Sequence, residues 1–170
     1  QSADRYRDTN PEGRYTARTE RVAARVLKQQ GKLKLAASRL SRAAANEKSP
    51  ERAFADKLEF AEVLFKQGDF AAATKAYVPL VEREDKIGGR AHEGLAWCAF
   101  ELGEDAQCAE WIERGVEHPA IGDSKADLLE LLSALNHRQE DWPAAIKTST
   151  RFLEAYPEHV RAGEMRYTLG

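Results

Sequence analysis

The chain has 170 residues, 42% of them hydrophobic and 32% charged, with a net charge of −2. That length allows one compact domain or one short solenoid, and the apolar share is enough for a core. No run of 18 apolar residues occurs, which excludes a transmembrane helix, and no signal peptide is visible, although the chain starts at Gln1 without Met.

In chain order, residues 1–13 are polar and carry the breakers Asn10-Pro11 and Gly13, so they read as a leader or linker, with Tyr6 placed to dock on the first helical unit. A first helix is expected from about Arg14. Tyr15, Val22, Val26 and Leu27 lie near one face of it, and Arg14, Arg18, Arg21, Arg25 and Lys28 lie along another at three- and four-residue spacing. After a turn at Gln30-Gly31-Lys32, a second helix should run from about Leu33 to Asn46. Ser49-Pro50 closes this unit and opens the next helix, where proline suits a first turn. The second unit runs from about Glu51 to Lys86, turning at Gln67-Gly68-Asp69 with Phe70 packed inward. Pro79 falls inside its second helix and predicts a kink or an early end there. Ile87-Gly88-Gly89 reads as a loop. A third unit spans about Arg90 to His118, then comes a loop from Ala120 in which Asp123 or Ser124 caps the fourth unit, Ser124 to Pro157. The stretch Arg161 to Gly170 reads as the first helix of a further unit, cut short, so the chain is expected to be a piece of a longer protein.

These units share one register. The turn anchors Gly31, Gly68, Gly103 and Glu140 lie 37, 35 and 37 residues apart. Seven residues before each stands a small residue (Ala24, Ala61, Ala96, Ser133), and five after each stands another (Ala36, Ala73, Cys108, Ala145). Two antiparallel helices approach closely only where their side chains are small, so these positions mark the crossing points. Leu27, Leu64 and Phe100 on first helices and Leu40, Tyr77 and Ile112 on second ones should fill the space around them. Glycine at the anchor suits a left-handed helix end, and Asp69, with Asp105 or Asp141, would cap second helices.

This unit resembles the tetratricopeptide repeat, a helix-turn-helix of about 34 residues that stacks into a superhelix. The resemblance covers roughly residues 17 to 157 and includes the turn, the two small positions and a proline near the end of three units (Pro50, Pro119, Pro157). It implies an all-α, right-handed solenoid of antiparallel helix pairs. Four repeats at about 14–48, 49–86, 87–120 and 121–157 would be followed by a partial one at 158–170. The chain departs from the pattern at Glu140 and in its slightly long period. The tail, Phe152 to Pro157 followed by Tyr167 to Gly170, is similar to bacterial cell-envelope proteins of this family, which would place the chain in the periplasm, with the cytoplasm as the alternative.

The sequence holds no G-x-G-x-x-G, P-loop, G-x-S-x-G or H-E-x-x-H motif. His92, His118, His137 and His159 fall in different units or boundaries without metal-ligand spacing, as surface or groove residues. Cys98 and Cys108 sit on the two helices of one unit. Cys108 suits a packed small hydrophobe, and a disulfide between the two requires a compatible Cα separation. No catalytic residue, metal or cofactor is expected. The basic cluster from Arg14 to Arg42 could meet phosphates, but the acidic overall charge and the lack of interleaved aromatics argue against nucleic acid.

The resemblance also implies a concave groove lined by first helices. Its positions map onto Arg18, Arg21 and Arg25 in the first unit and Leu58, Glu62 and Phe65 in the second. In the third they fall on Arg90, Glu93, Trp97 and Phe100, and in the fourth on His137. Such a groove would hold a protein or peptide partner, with Trp97 as central anchor and Arg21, Arg25 and Arg90 as charge contacts. The positions that clamp a terminal carboxylate in one subclass hold Arg21, Arg25, Glu59, Arg90 and Gly94 here, without the asparagines, so that clamp is not expected. The alternative is a self-assembly segment that pairs ends of opposite charge. Residues 14–45 hold nine Lys/Arg and one Glu, and residues 101–159 hold thirteen Asp/Glu and five Lys/Arg.

Overall fold

The four anchor residues share one backbone conformation. Gly31, Gly68, Gly103 and Glu140 have φ of 71°, 77°, 73° and 58° in the computed structural model, which describes residues 16–169. Each makes the same pair of bonds. The anchor amide donates three residues back (Gly31 to Lys28 O, 3.0 Å; Glu140 to His137 O, 3.0 Å). The next amide donates five residues back (Lys32 to Leu27 O, 2.9 Å; Asp69 to Leu64 O, 3.1 Å; Glu104 to Ala99 O, 2.9 Å; Asp141 to Asn136 O, 2.9 Å). These bonds satisfy helix-end carbonyls that would otherwise be orphaned, and they reverse the chain within a few residues.

The helices between the turns keep the expected order. They are α1 (Thr16–Gln29), α2 (Leu33–Asn46), α3 (Pro50–Lys66), α4 (Phe70–Tyr77), α5 (Lys86–Leu102), α6 (Asp105–Glu117), α7 (Ser124–Arg138), α8 (Trp142–Ala155) and α9 (Ala162–Thr168). No strand occurs among the described residues. The fold is all-α, built from helix pairs in the manner of a repeat protein. Tyr6, Arg14, Tyr15 and the leader 1–13 lie outside the described residues. The chain divides into two compact units, one ending at Leu80 and the other beginning at Val81. In the first, α1 packs on α2, α2 on α3 and α3 on α4. In the second, α5, α6 and α7 pack mutually, α8 packs on α7, and α9 on α8.

Helix ends reflect local chemistry. Ser49 and Pro50 open α3, the proline occupying a first-turn position where no amide hydrogen is needed. Asp69 accepts from Ala72 N (3.1 Å) and Asp141 from Ala144 N (3.0 Å), capping α4 and α8. Asp105 does not cap; it is the first residue of α6, and its carboxylate takes Arg138 and Gln139 instead. Asp123 precedes α7 without a side-chain cap bond, and the Ser124 hydroxyl donates to Glu93 (2.5 Å). Pro79 ends α4 early: the α-helix stops at Tyr77 and tightens into a 3-10 turn, Val78–Leu80.

The crossing residues bear out the small-residue register. Ala24, Ala36, Ala61, Ala73, Ala96, Cys108, Ser133 and Ala145 are all at most 2% exposed. Ala24 and Ala36 lie in one cluster with Ala37, Leu40 and Val63; Ala96 and Cys108 lie in another with Ala99, Ile112, Leu128, Leu131 and Leu135. A third cluster joins Ala126, Leu129, Phe152 and Met165. Leu40, Tyr77 and Ile112 are buried as expected, whereas Leu27, Leu64 and Phe100 are half-buried. At Ser133 the crossing is polar. Its hydroxyl bonds Ser149 (3.1 Å), and next to it Asn136 donates to Thr148 (3.2 Å), so the buried polar atoms on α7 and α8 satisfy each other. Both cysteines are buried thiols with no disulfide between them, and burial pushes the Cys108 thiol up to about 11.

Ile87-Gly88-Gly89 is not a loop. It forms the first turn of α5, capped by Asp85, which accepts from Ile87 N (2.9 Å) and Gly88 N (3.3 Å) and is held by Arg83. The glycines are there for space. A Cβ on Gly88 would lie 1.8 Å from Arg83 O, and one on Gly89 would lie 2.9 Å from Ala120 O. Nor is His92 a surface residue. It is 4% exposed, its Nδ1 donates to Gly88 O (3.0 Å), and its ring lies 5.3 Å from His118 and 5.9 Å from Trp111. Ala120 N donates to His118 Nδ1 (3.1 Å), so His118 Nε2 carries the proton and donates to Arg83 O (2.8 Å). The two histidines thus tie the start of α5 to the end of α6. Burial, reinforced by His118 and Arg114, holds the His92 imidazole below its ordinary value of 6.5.

Two outcomes are expected for stability. Glu140 holds a left-handed backbone that costs a side chain about 1–2 kcal/mol, partly offset in any Gly replacement by the greater freedom of the unfolded chain. Glu140→Gly should therefore stabilise by about 0.5–1 kcal/mol in urea unfolding, and an unchanged or lower midpoint would contradict this. His92 is neutral when folded, so its contribution is intact above pH 6.5. It falls as the pH drops toward the lowered folded value, because the unfolded chain takes up the proton first. As the pH falls below 6.5, stability should fall by at most about 1.4 kcal/mol per pH unit, and His92→Gln should flatten that slope. Trp97, Trp111 and Trp142 all lie in the second unit, so tryptophan fluorescence reads it directly.

Candidate partner-binding faces

On α1 the arginine ladder splits into two stripes. Arg21 Nε donates to both oxygens of Asp56 (2.7 and 3.0 Å), and its Nη2 meets Glu47. Lys28 pairs with Glu59 one turn further along α3. Arg21 is therefore bonded inward, to the carboxylates of α3 and of the α2–α3 connection, and is not a free contact for a partner. Asp56 is 3% exposed; burial raises its carboxyl above the usual range, and Arg21 draws it back down. The other stripe, Arg18 and Arg25, is exposed, and between them Val22 and Val26 are 55% and 45% exposed. The buried face of α1 is Thr16, Ala17, Glu20 and Ala24, with the Glu20 carboxylate taken by Arg39 (3.2 Å).

On α3, Leu58 is 7% exposed and belongs to the core, one turn before the crossing residue Ala61. This corrects its expected place on the groove surface. Phe65 is half-buried with its ring edge-on to Phe70 at 5.2 Å, which accounts for the inward packing of Phe70. Glu62 is half-buried.

In the second unit, Arg90, Glu93, Trp97 and Phe100 occupy one stripe of α5 at spacings of three and four, which brings them onto a common face. Arg90 is exposed; Glu93, Trp97 and Phe100 are half-buried. Trp97 packs on the cluster around Ala96 and Leu131 and stands edge-on to Phe100 at 6.0 Å. Arg138 from α7 lies over the Phe100 ring at 3.9 Å, donates to Phe100 O (2.8 Å), and pairs with Asp105. The groove mapping also places Arg138 in the fourth unit, beside His137, but spacing alone does not show that it stacks on Phe100. His137 itself is half-buried and meets the exposed Trp142 edge-on at 5.3 Å. Further along α7, Glu130 reaches Arg161 of α9 at 3.5 Å, and burial raises its carboxyl.

Among the described residues, no cluster of three or more His, Cys, Asp or Glu side chains is arranged to hold a metal ion. No helix among them is long and apolar enough to cross a membrane.

No curated protein matches the chain. Residues 58–124 match the family model of the tetratricopeptide repeat. That segment runs from α3 into α7 and contains two of the four turns, and the same left-handed anchor, paired turn bonds and buried small residues recur outside it. The likeness to the tetratricopeptide repeat is thus established over residues 58–124.

Proposed function

We propose that this chain is a non-catalytic scaffold whose first helices hold a protein or peptide segment. Tetratricopeptide repeats serve in general as protein-interaction scaffolds, which supports this reading. The observation that carries the proposal is the α5–α7 face, where Trp97 stands edge-on to Phe100 and the Arg138 guanidinium covers the Phe100 ring, on the stripe that also holds Arg90 and Glu93. Aromatic and Arg side chains that are partly desolvated but still reachable are the usual anchors of interfaces. In the first unit, the exposed Arg18 and Arg25 beside Val22 and Val26 offer a similar mixture, suited to a segment with acidic and apolar residues. Arg21 supports this face from behind by fixing α1 to α3.

The test is co-purification from the source cell, comparing wild type with Trp97→Ala and with the Arg18→Glu, Arg25→Glu pair. Losing the anchor should weaken the captured partner by about 2 kcal/mol, roughly thirtyfold, with the helical circular dichroism signal unchanged. Full retention of the same partner by both variants would remove this assignment.

A second proposal is favoured by charge. The described part of the first unit, residues 16–80, holds thirteen Lys/Arg and seven Asp/Glu, and that of the second, residues 81–169, holds ten and eighteen. Copies of the chain could pair first unit to second. Sedimentation over a salt series distinguishes the two: charge-driven assembly should dissociate as the screening length shortens from about 30 Å at 0.01 M salt to about 8 Å at 0.15 M. A chain that stays monomeric at low salt rejects it.

A further inference from the structure

Apart from the faces described above, α2, α3 and α4 of the first unit enclose a trough of about 410 Å³. Ser41, Ala44 and Ala45 of α2 form one wall, Ala76 and Pro79 the other, and Phe60 and Lys57 of α3 the floor and lip. We propose that this trough is a second docking site, for an acidic peptide segment that inserts apolar side chains and sets a carboxylate on Lys57.

The argument starts from why the trough exists. The early end of α4 at Pro79 leaves this second helix with 8 residues where the others have 13 or 14, so the space beside α2 is left unfilled. Three alanines keep the walls low. Phe60, whose other edge packs on the core cluster of Ala24, Leu40 and Val63, presents its ring as an apolar floor. The size falls within the range of ligand pockets, about 300–1,000 Å³.

Charge identifies the occupant. Among the described residues of the lining Lys57 is the only charged one, and no carboxylate accompanies it. Its ammonium lies 5.1 Å over the Phe54 ring and makes no ion pair among the described residues. Five of the seven described carboxylates of this unit are engaged elsewhere: Glu20 by Arg39, Glu47 and Asp56 by Arg21, Glu59 by Lys28, and Asp69 as the cap of α4; the other two, Glu51 and Glu62, do not line the trough. An apolar floor beside an uncompensated cation selects an apolar group next to an anion. Ala45, Lys57 and Pro79 are exposed, so the trough is open along its length. A lipid-like chain would stay largely in water there. A peptide fits better, because it inserts one or two side chains and leaves its backbone hydrated.

The test is fluorescence anisotropy of the labelled hexapeptide DELFDE titrated with the whole chain, beside the controls DEAADE and KKLFKK. DELFDE should bind saturably, and DEAADE at least roughly tenfold more weakly for loss of apolar burial. Lys57→Glu and, independently, Ala45→Phe, which fills the trough from an exposed position, should each weaken DELFDE roughly tenfold. Lys147→Glu on α8, the same change in net charge on an exposed site, should not. The proposal is overturned if DELFDE does not saturate, if DEAADE binds as well, or if Lys147→Glu weakens binding as much as Lys57→Glu. It is also overturned in favour of a second copy if the wild type sediments as a dimer that Ala45→Phe dissociates. None of these outcomes involves Trp97 or the α1 arginines, so the first-helix proposal stands or falls separately.

Discussion

The left-handed turn residue is the constraint on which the rest depends. Once the backbone reverses at a fixed residue with the same two hydrogen bonds, the residues seven before and five after it are brought opposite each other. At that crossing no side chain larger than Cys is found in any of the four pairs. The turn therefore sets the register of packing, and packing in turn holds the turn. The fourth repeat shows this from the other side. Glu140 adopts the conformation that glycine takes in the first three, and it keeps both bonds. The strain is borne by the contacts of α7 with α8, which include the Ser133–Ser149 and Asn136–Thr148 bonds in place of a purely apolar seam.

How much of the fold was legible in sequence depends on whether the signal was local. Most helix bounds, the stop at Pro79, the Asp69 and Asp141 caps and the eight crossing residues were legible, because each is decided within a few residues or by a strict repeat. Gly88 and Gly89 were not. A glycine pair looks like a loop, but here it is helix, and the reason is the backbone of Arg83 and of Ala120, carbonyls 5 and 31 residues away in sequence. His92 is the same kind of case: its burial is decided by His118 and Trp111, which a linear scan places in a different helix.

The expected binding surface was legible only as a set of positions. Spacing put Arg90, Glu93, Trp97 and Phe100 on one stripe, and they do share it. Spacing could not say that Leu58 turns inward, or that Arg21 and Lys28 reach Asp56 and Glu59 while Arg18 and Arg25 do not. On a helix, residues seven apart face nearly the same way, so a ladder with steps of three and four comprises two stripes with different neighbours. Only the carboxylates on the facing helix tell them apart.

That allocation of carboxylates shapes the surface of the first unit. A carboxylate such as Asp56, 3% exposed, is stable there only with a cation beside it, so Arg21 is committed to structure. Glu20 commits Arg39 in the same way. Each buried acid removes one acid and one base from the surface in equal number, which leaves the excess of bases outside. Among the cations that remain exposed, Arg18 and Arg25 on α1 and Lys57 on α3 stand beside apolar groups: Val22 and Val26 in one case, Phe54 and Phe60 in the other. Pairing inside the unit is thus what gives its outer faces a character, cationic and apolar together, that solvent alone would not require.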